Sequence, residues 1–87
     1  MIEREVTIKN KYGLHTRPAS LLVKVASRFK ADFYIYKDGM EINGKSIIGV
    51  MTLAAEFGVK LLLRFEGDDE TAACTAVADL FDRGFDE

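Results

Sequence analysis

Residues 10–20, NKYGLHTRPAS, decide how this chain is laid out. They hold its only histidine, His15, and its only proline, Pro18, with Arg17 between them. Gly13 permits an unusual backbone angle or a close approach where a strand has just ended. Pro18 suits the first turn of a helix, where a missing N–H costs nothing. The helix therefore starts near residue 15 or 16. His15 falls at or beside the N-cap, a place usually taken by Ser, Thr, Asp or Asn.

Working outward, residues 2–9 alternate, with Ile2, Val6 and Ile8 against Glu3, Glu5, Thr7 and Lys9. That is a half-buried strand, with Arg4 the exception on its apolar side. Residues 16–29 place Ala19, Leu22, Ala26 and Phe29 at helical spacing and Arg17, Ser20, Lys24 and Ser27 on the opposite face. The segments 32–37 (DFYIYK) and 40–43 (MEIN) read as strands joined by an Asp38-Gly39 turn. A helix is expected from Ser46 to Gly58, then an apolar, central strand over 60–66. Asp68 or Asp69 caps a last helix that runs to about Arg83, turns Val77, Leu80 and Phe81 inward and stops at Gly84.

The element order is β-α-β-β-α-β-α. It predicts an α+β fold, an open-faced two-layer sandwich with three helices on one face of a four-stranded antiparallel sheet. The far face would carry Glu3, Glu5, Thr7, Tyr34, Tyr36, Glu41 and Arg64 and meet water. A ferredoxin-like fold with one extra helix has the same order, and the pattern leaves it open.

Eighty-seven residues predict one domain, 1–87, with a modest core and no deep pocket. The single cysteine, Cys74, excludes an internal disulfide and reads as a small buried filler. No apolar run has the length of a membrane span, and MIEREVTIK does not read as a signal peptide, so a cytoplasmic location is expected. Residues 1–45 carry nine Lys/Arg against five Asp/Glu, and residues 46–87 carry three against nine. No dense basic stripe marks a nucleic-acid binder, but a docking face for acidic partners or phosphate is compatible.

At a helix N-terminus beside Arg17, a phosphoryl group on the His15 ring would meet N–H donors and a guanidinium together. The helix contribution is worth roughly 0.3–1 kcal/mol, about 2 when partly buried. That holds a phosphoryl group without trapping it. An ordinary polar loop histidine remains the competing reading. A lone histidine offers no metal site, and no hydrolytic triad is evident.

A second motif, NGKSIIGVM (43–51), puts Ser46 where an N-cap belongs, ahead of a helix that is apolar nearly all round. Some of Ile47, Ile48 and Met51 should stay exposed as a docking patch. Phosphorylating Ser46 would add about −1.5 to −2 charge there and repel an acidic partner.

GLHTRPAS and KSIIGVM together resemble the active-site and regulatory-serine motifs of the HPr family, histidine-containing phosphocarriers of the bacterial phosphotransferase system. The resemblance spans the whole chain and implies that family's open sandwich rather than the ferredoxin-like alternative. It further implies that His15 accepts a phosphoryl group through Nδ1 from enzyme I, charged by phosphoenolpyruvate, and passes it to a histidine of an EIIA domain. Arg17 would assist the transfer, with the backbone of Thr16 and Arg17 on the phosphoryl oxygens. Ser46 would be the target of an HPr kinase/phosphorylase, a modification that can recruit a transcriptional regulator. Thr16, Ser20, Leu21, Lys24, Ser27, Ile47, Ile48 and Met51 fall where the family docks its partners. The chain would be a monomeric covalent carrier without metal or cofactor, not a turnover enzyme.

Tyr12 stands where a small polar residue is expected, Ile48 where methionine is common and Ala54 where glycine is frequent. The ending LFDRGFDE resembles the nitrogen-related branch of the family, whereas the Ser46 segment resembles the sugar branch. A mainly regulatory binding module, or a nitrogen-related carrier, is the alternative. The tail Asp86-Glu87 reads as merely solvated.

Overall fold

The computed structural model describes all of residues 1–87. In chain order it has β1 (Ile2–Thr7), α1 (Thr16–Ala26), β2 (Asp32–Lys37), β3 (Met40–Asn43), α2 (Ile47–Thr52), β4 (Lys60–Glu66) and α3 (Glu70–Asp82). A short 3-10 turn, Gly84–Asp86, follows. The sheet order is β1-β4-β2-β3 and every pairing is antiparallel. The strand order removes the ferredoxin-like alternative, whose split β-α-β units put β1 and β3 at the centre of the sheet, whereas here those two strands are its edges.

The strand β4 is central because its sequence is apolar on one face and tolerant on the other. Leu61, Leu63 and Phe65 are buried, and they lie opposite Val6, Ile35 and Phe33 on the flanking strands. The Phe33 and Phe65 rings stack 4.6 Å apart. Over this face α1 buries Pro18, Ala19, Leu22, Val25 and Ala26, and α3 buries Ala73, Cys74, Val77, Ala78, Leu80 and Phe81. Burial pushes the Cys74 thiol up, as befits a filler.

On the outer face Arg64 sits between Glu3 and Tyr34 in register. Its guanidinium lies 4.6 Å over the Tyr36 ring and its Nε is 3.5 Å from Glu3. The Tyr36 hydroxyl donates to Glu41. A face this polar needs no cover. Arg4, on the apolar side of an edge strand, reaches out to Asp82 at 3.8 Å.

Three element ends differ from the sequence expectation. The strand β1 stops at Thr7, not residue 9, although Ile8 keeps a backbone bond to Val59. The helix α1 stops at Ala26, not residue 29, because its last turn tightens: Arg28 and Phe29 donate to carbonyls three residues back. Lys45 Nζ then takes the Phe29 carbonyl at 2.7 Å. The largest difference is α2, which ends at Thr52 rather than near Gly58. Ala54 turns left-handed there (φ 49°), and Lys37 Nζ takes the Leu53 carbonyl. At the other end of the sheet, Asp69 holds the N-cap position of α3 without capping it, because its carboxylate accepts from the Lys30 and Ala31 N–H groups instead. These bonds, the Lys30 one foremost, keep its pKa low.

The left-handed Ala54 yields a test. Alanine pays for that angle where glycine does not. Ala54→Gly should therefore stabilise the chain by up to about 1 kcal/mol, the gain being limited by the looser unfolded chain. Chemical denaturation reads this directly, and a lower midpoint in the glycine variant would contradict it.

Candidate functional site

The site is built where β1 hands over to α1. Gly13 adopts φ 69°, and its neighbour Leu14 donates to the Ala55 carbonyl at 2.9 Å. This close approach fits only glycine, since a Cβ on Gly13 would fall on the Ala55 oxygen and 2.9 Å from the Glu56 Cα. Buried Leu14 and Pro18 then bracket His15 and fix where the helix begins.

His15 is the N-cap of α1, in an extended conformation, and its side chain makes no capping bond. Its carbonyl accepts the first helical bond, from Ala19. Pro18 has no N–H, and the N–H groups of Thr16 and Arg17 donate to no acceptor in the chain. A ring that is 41% exposed thus sits beside two free donors. The Tyr12 ring stands edge-on to it, with centroids 6.3 Å apart, and Lys11 Nζ lies over that tyrosine ring, 5.3 Å from its centroid. Tyr12 walls the site rather than offering its hydroxyl to the ring. Lys11, Tyr12, His15, Arg17, Asp86 and Glu87 line an open depression of about 440 Å³.

The tail meets the expectation only in part: Asp86 is exposed, but the Glu87 side chain is shielded and bonded within the chain. The turn after α3 runs through left-handed Gly84, Phe85 and Asp86. It is pinned because Phe85 is buried edge-on against Phe81, with ring centroids 4.9 Å apart. That returns Glu87 to the histidine: Oε1 lies 3.0 Å from His15 Nε2 and Oε2 lies 3.6 Å from Arg17 Nε. The carboxylate also accepts from Asn10 Nδ2 at 3.0 Å. Asn10 is buried, donates a second bond to the Gly13 carbonyl at 2.6 Å, and leaves its Oδ1 without a partner. Desolvation of Glu87 opposes its ionisation, but the His15 and Asn10 bonds, with Arg17 behind them, outweigh it and hold its pKa below the ordinary carboxylate value. Ionised Glu87 stabilises the fold at neutral pH, and that contribution is lost as pH falls through its lowered pKa.

Sequence reasoning missed Asn10 and Glu87. Asn10 carried a weak signal, since an Asn three residues before a glycine is a common turn former. Glu87 carried none, because nothing local links it to a residue 72 positions earlier.

The remaining expected site residues lie on two adjoining helices. Thr16, Arg17, Ser20, Lys24 and the post-helix Ser27 are exposed along α1, and Leu21 is half-buried. On α2, Ile47, Met51 and above all Ile48, 74% exposed, form the apolar patch. Ser46 caps α2, its Oγ accepting from the Gly49 N–H at 3.1 Å. No helix is long and apolar enough to cross a membrane.

Comparison with known proteins agrees with the fold. The family profile described as "PTS HPr component phosphorylation site" matches residues 2–83. Phosphocarrier protein HPr of Treponema pallidum is 44% identical over 87 residues, covering all of this chain and 99% of the relative. HPr-like protein Crh of Halalkalibacterium halodurans is 46% identical over 77 residues, covering 88% of this chain and 92% of the relative. The crystal structure of HPr from Thermoanaerobacter tengcongensis superposes with a TM-score of 0.97 at 45% identity, covering 100% and 98% of the two chains. A structure described as the HPr dimer from the same organism gives 0.81.

Proposed function

The chain belongs to the HPr family of phosphocarrier proteins, and from that premise we propose that it relays a phosphoryl group on His15 between enzyme I and an EIIA domain. The observation that carries the reading is the His15 ring, open to a partner at the N-cap of α1, beside Thr16 and Arg17 N–H groups that have no acceptor of their own. Nδ1 makes no bond within the chain, while Nε2 is engaged by Glu87. Its lone pair attacks phosphorus as the bond to the donor histidine breaks. The three phosphoryl oxygens then gain the two N–H groups and the dipole of the helix N-terminus. Arg17, exposed and already beside the ring, supplies a bidentate cation for the same oxygens. These contacts are worth a few kcal/mol at most, which suits a group that must leave again.

Partners dock across the exposed face of α1 and the Ile47–Ile48–Met51 patch of α2. An acidic surface meets Lys24 and Arg17 while apolar side chains cover the patch. Ser46 lies at the head of that patch and is the regulatory phosphorylation site in this reading. Incubation with enzyme I and labelled phosphoenolpyruvate tests the relay: acid-labile label is expected, and no label would sink it. Ser46→Asp keeps a capping oxygen, so its melting temperature should change little. The added negative charge should slow phosphorylation by enzyme I about tenfold or more, and an unchanged rate contradicts the electrostatic block.

A second reading is favoured by the match to the HPr-like protein Crh, namely a mainly regulatory module switched at Ser46. Modification of Ser46 by an ATP-dependent kinase without label at His15 would select it. The carrier works as a monomer in the cytoplasm in this account, and sedimentation distinguishes it from the dimer described for the Thermoanaerobacter protein.

A further inference from the structure

The carboxylate of Glu87 is the one group bonded to the His15 ring, at Nε2, 3.0 Å away. A carboxylate only accepts hydrogen bonds. Glu87 is held in its ionised form by the His15 and Asn10 bonds and by Arg17, against the cost of desolvation. The contact therefore requires the hydrogen on Nε2. A neutral imidazole carries one hydrogen, so Nδ1 is left with its lone pair. The contact is also built rather than incidental. Buried Phe85 anchors the turn, Asn10 donates to the same Oε1, and the Glu87 side chain is only 17% exposed.

We propose that Glu87 is a positioning residue for the His15 acceptor: it holds the neutral ring in the tautomer whose free nitrogen is Nδ1, and it balances the positive charge that the ring gains on taking the phosphoryl group. This rests on the phosphocarrier reading above. Nδ1 donates its lone pair to phosphorus, forming the new N–P bond. The old N–P bond breaks, and its electron pair returns to the donor imidazole. No proton has to leave Nδ1, because the ring hydrogen is already on Nε2. The product ring, phosphorylated at one nitrogen and protonated at the other, is a cation 3.0 Å from a carboxylate. Arg17 is shared with Glu87 at rest, so its turning to the phosphoryl oxygens leaves the carboxylate to the ring.

Nitrogen-15 NMR of His15, recorded above the titration range of imidazole, separates the two tautomers in the unphosphorylated protein. The parent should show the Nε2–H form almost alone. Glu87→Ala should raise the Nδ1–H form several-fold and slow phosphorylation by enzyme I about two- to fivefold, the worth of an exposed ion pair. Glu87→Gln retains a carbonyl that accepts the N–H. It should keep most of the tautomer bias while losing the same part of the rate, a split that a merely structural role would not give. Unchanged nitrogen shifts in Glu87→Ala, or an unchanged rate, overturns the proposal. A parent protein that enzyme I fails to label sinks the carrier reading instead, while the nitrogen shifts still report on the hold of Glu87.

Discussion

His15→Ala is expected to abolish acid-labile labelling by enzyme I and phosphoenolpyruvate while leaving the fold intact. The ring is 41% exposed and caps nothing with its side chain. Its loss should cost within about 0.5 kcal/mol beyond the contact to Glu87, so the melting temperature barely moves. The chemical loss is total because no other side chain can stand in. The chain has no second histidine, and Cys74 is buried on the inner face of α3. Label is counted after gel separation, before and after mild acid. Label that persists in the variant would place the acceptor elsewhere.

Gly13→Ala should have the largest effect on the fold, although the site would suffer too. Two independent penalties meet at Gly13. Its φ of 69° is costly for any residue with a Cβ, and that Cβ would fall on the backbone of Ala55. The obstacle is main chain, itself accepting from Leu14, so it cannot swing aside as a side chain would. A left-handed non-glycine residue costs of order 1–3 kcal/mol, and forced displacement of packed backbone adds a similar amount. A total of about 3 kcal/mol lowers the melting temperature of a domain this size by on the order of 15 °C. Because Leu14 and His15 must shift with the loop, phosphorylation should slow even well below the new melting point. Calorimetry and the labelling rate check the two halves, and a variant as stable and as fast as the parent contradicts the account of the loop.

Much of this was legible because the periods are clean. The alternation in β1 and the apolar run of β4 decided which strands exist and which one is central. The helical spacing of Ala19, Leu22 and Ala26 gave the buried stripe of α1. Element ends were less legible. Nothing in AAEFG announces that Ala54 takes the left-handed angle and stops α2 four residues before the glycine. Ser46 was read correctly as a cap because capping is local chemistry. Asp69 was misread because its oxygens are claimed by Lys30 and Ala31, a bond across 38 or 39 residues that no local pattern shows.

The site divides in the same way. His15, Thr16 and Arg17 followed from a proline that sets the helix start. On spacing alone, however, an idle loop residue was the stronger reading of His15, and only the resemblance of the two motifs to the family favoured a phosphoryl acceptor. Glu87 was invisible because its position is fixed by Phe85 in the core, a tertiary constraint. The partly shielded carboxylate that this anchoring delivers is the feature that distinguishes one ring nitrogen from the other.

The central claim is that Nδ1 of His15 carries the phosphoryl group. Protein labelled with nitrogen-15 in its histidine, phosphorylated by enzyme I and phosphoenolpyruvate and examined by phosphorus and nitrogen NMR, tests it most directly. One phosphoryl group coupled to Nδ1, with the hydrogen still on Nε2, is the result expected. A phosphoryl group on Nε2, or none on the histidine, would contradict it.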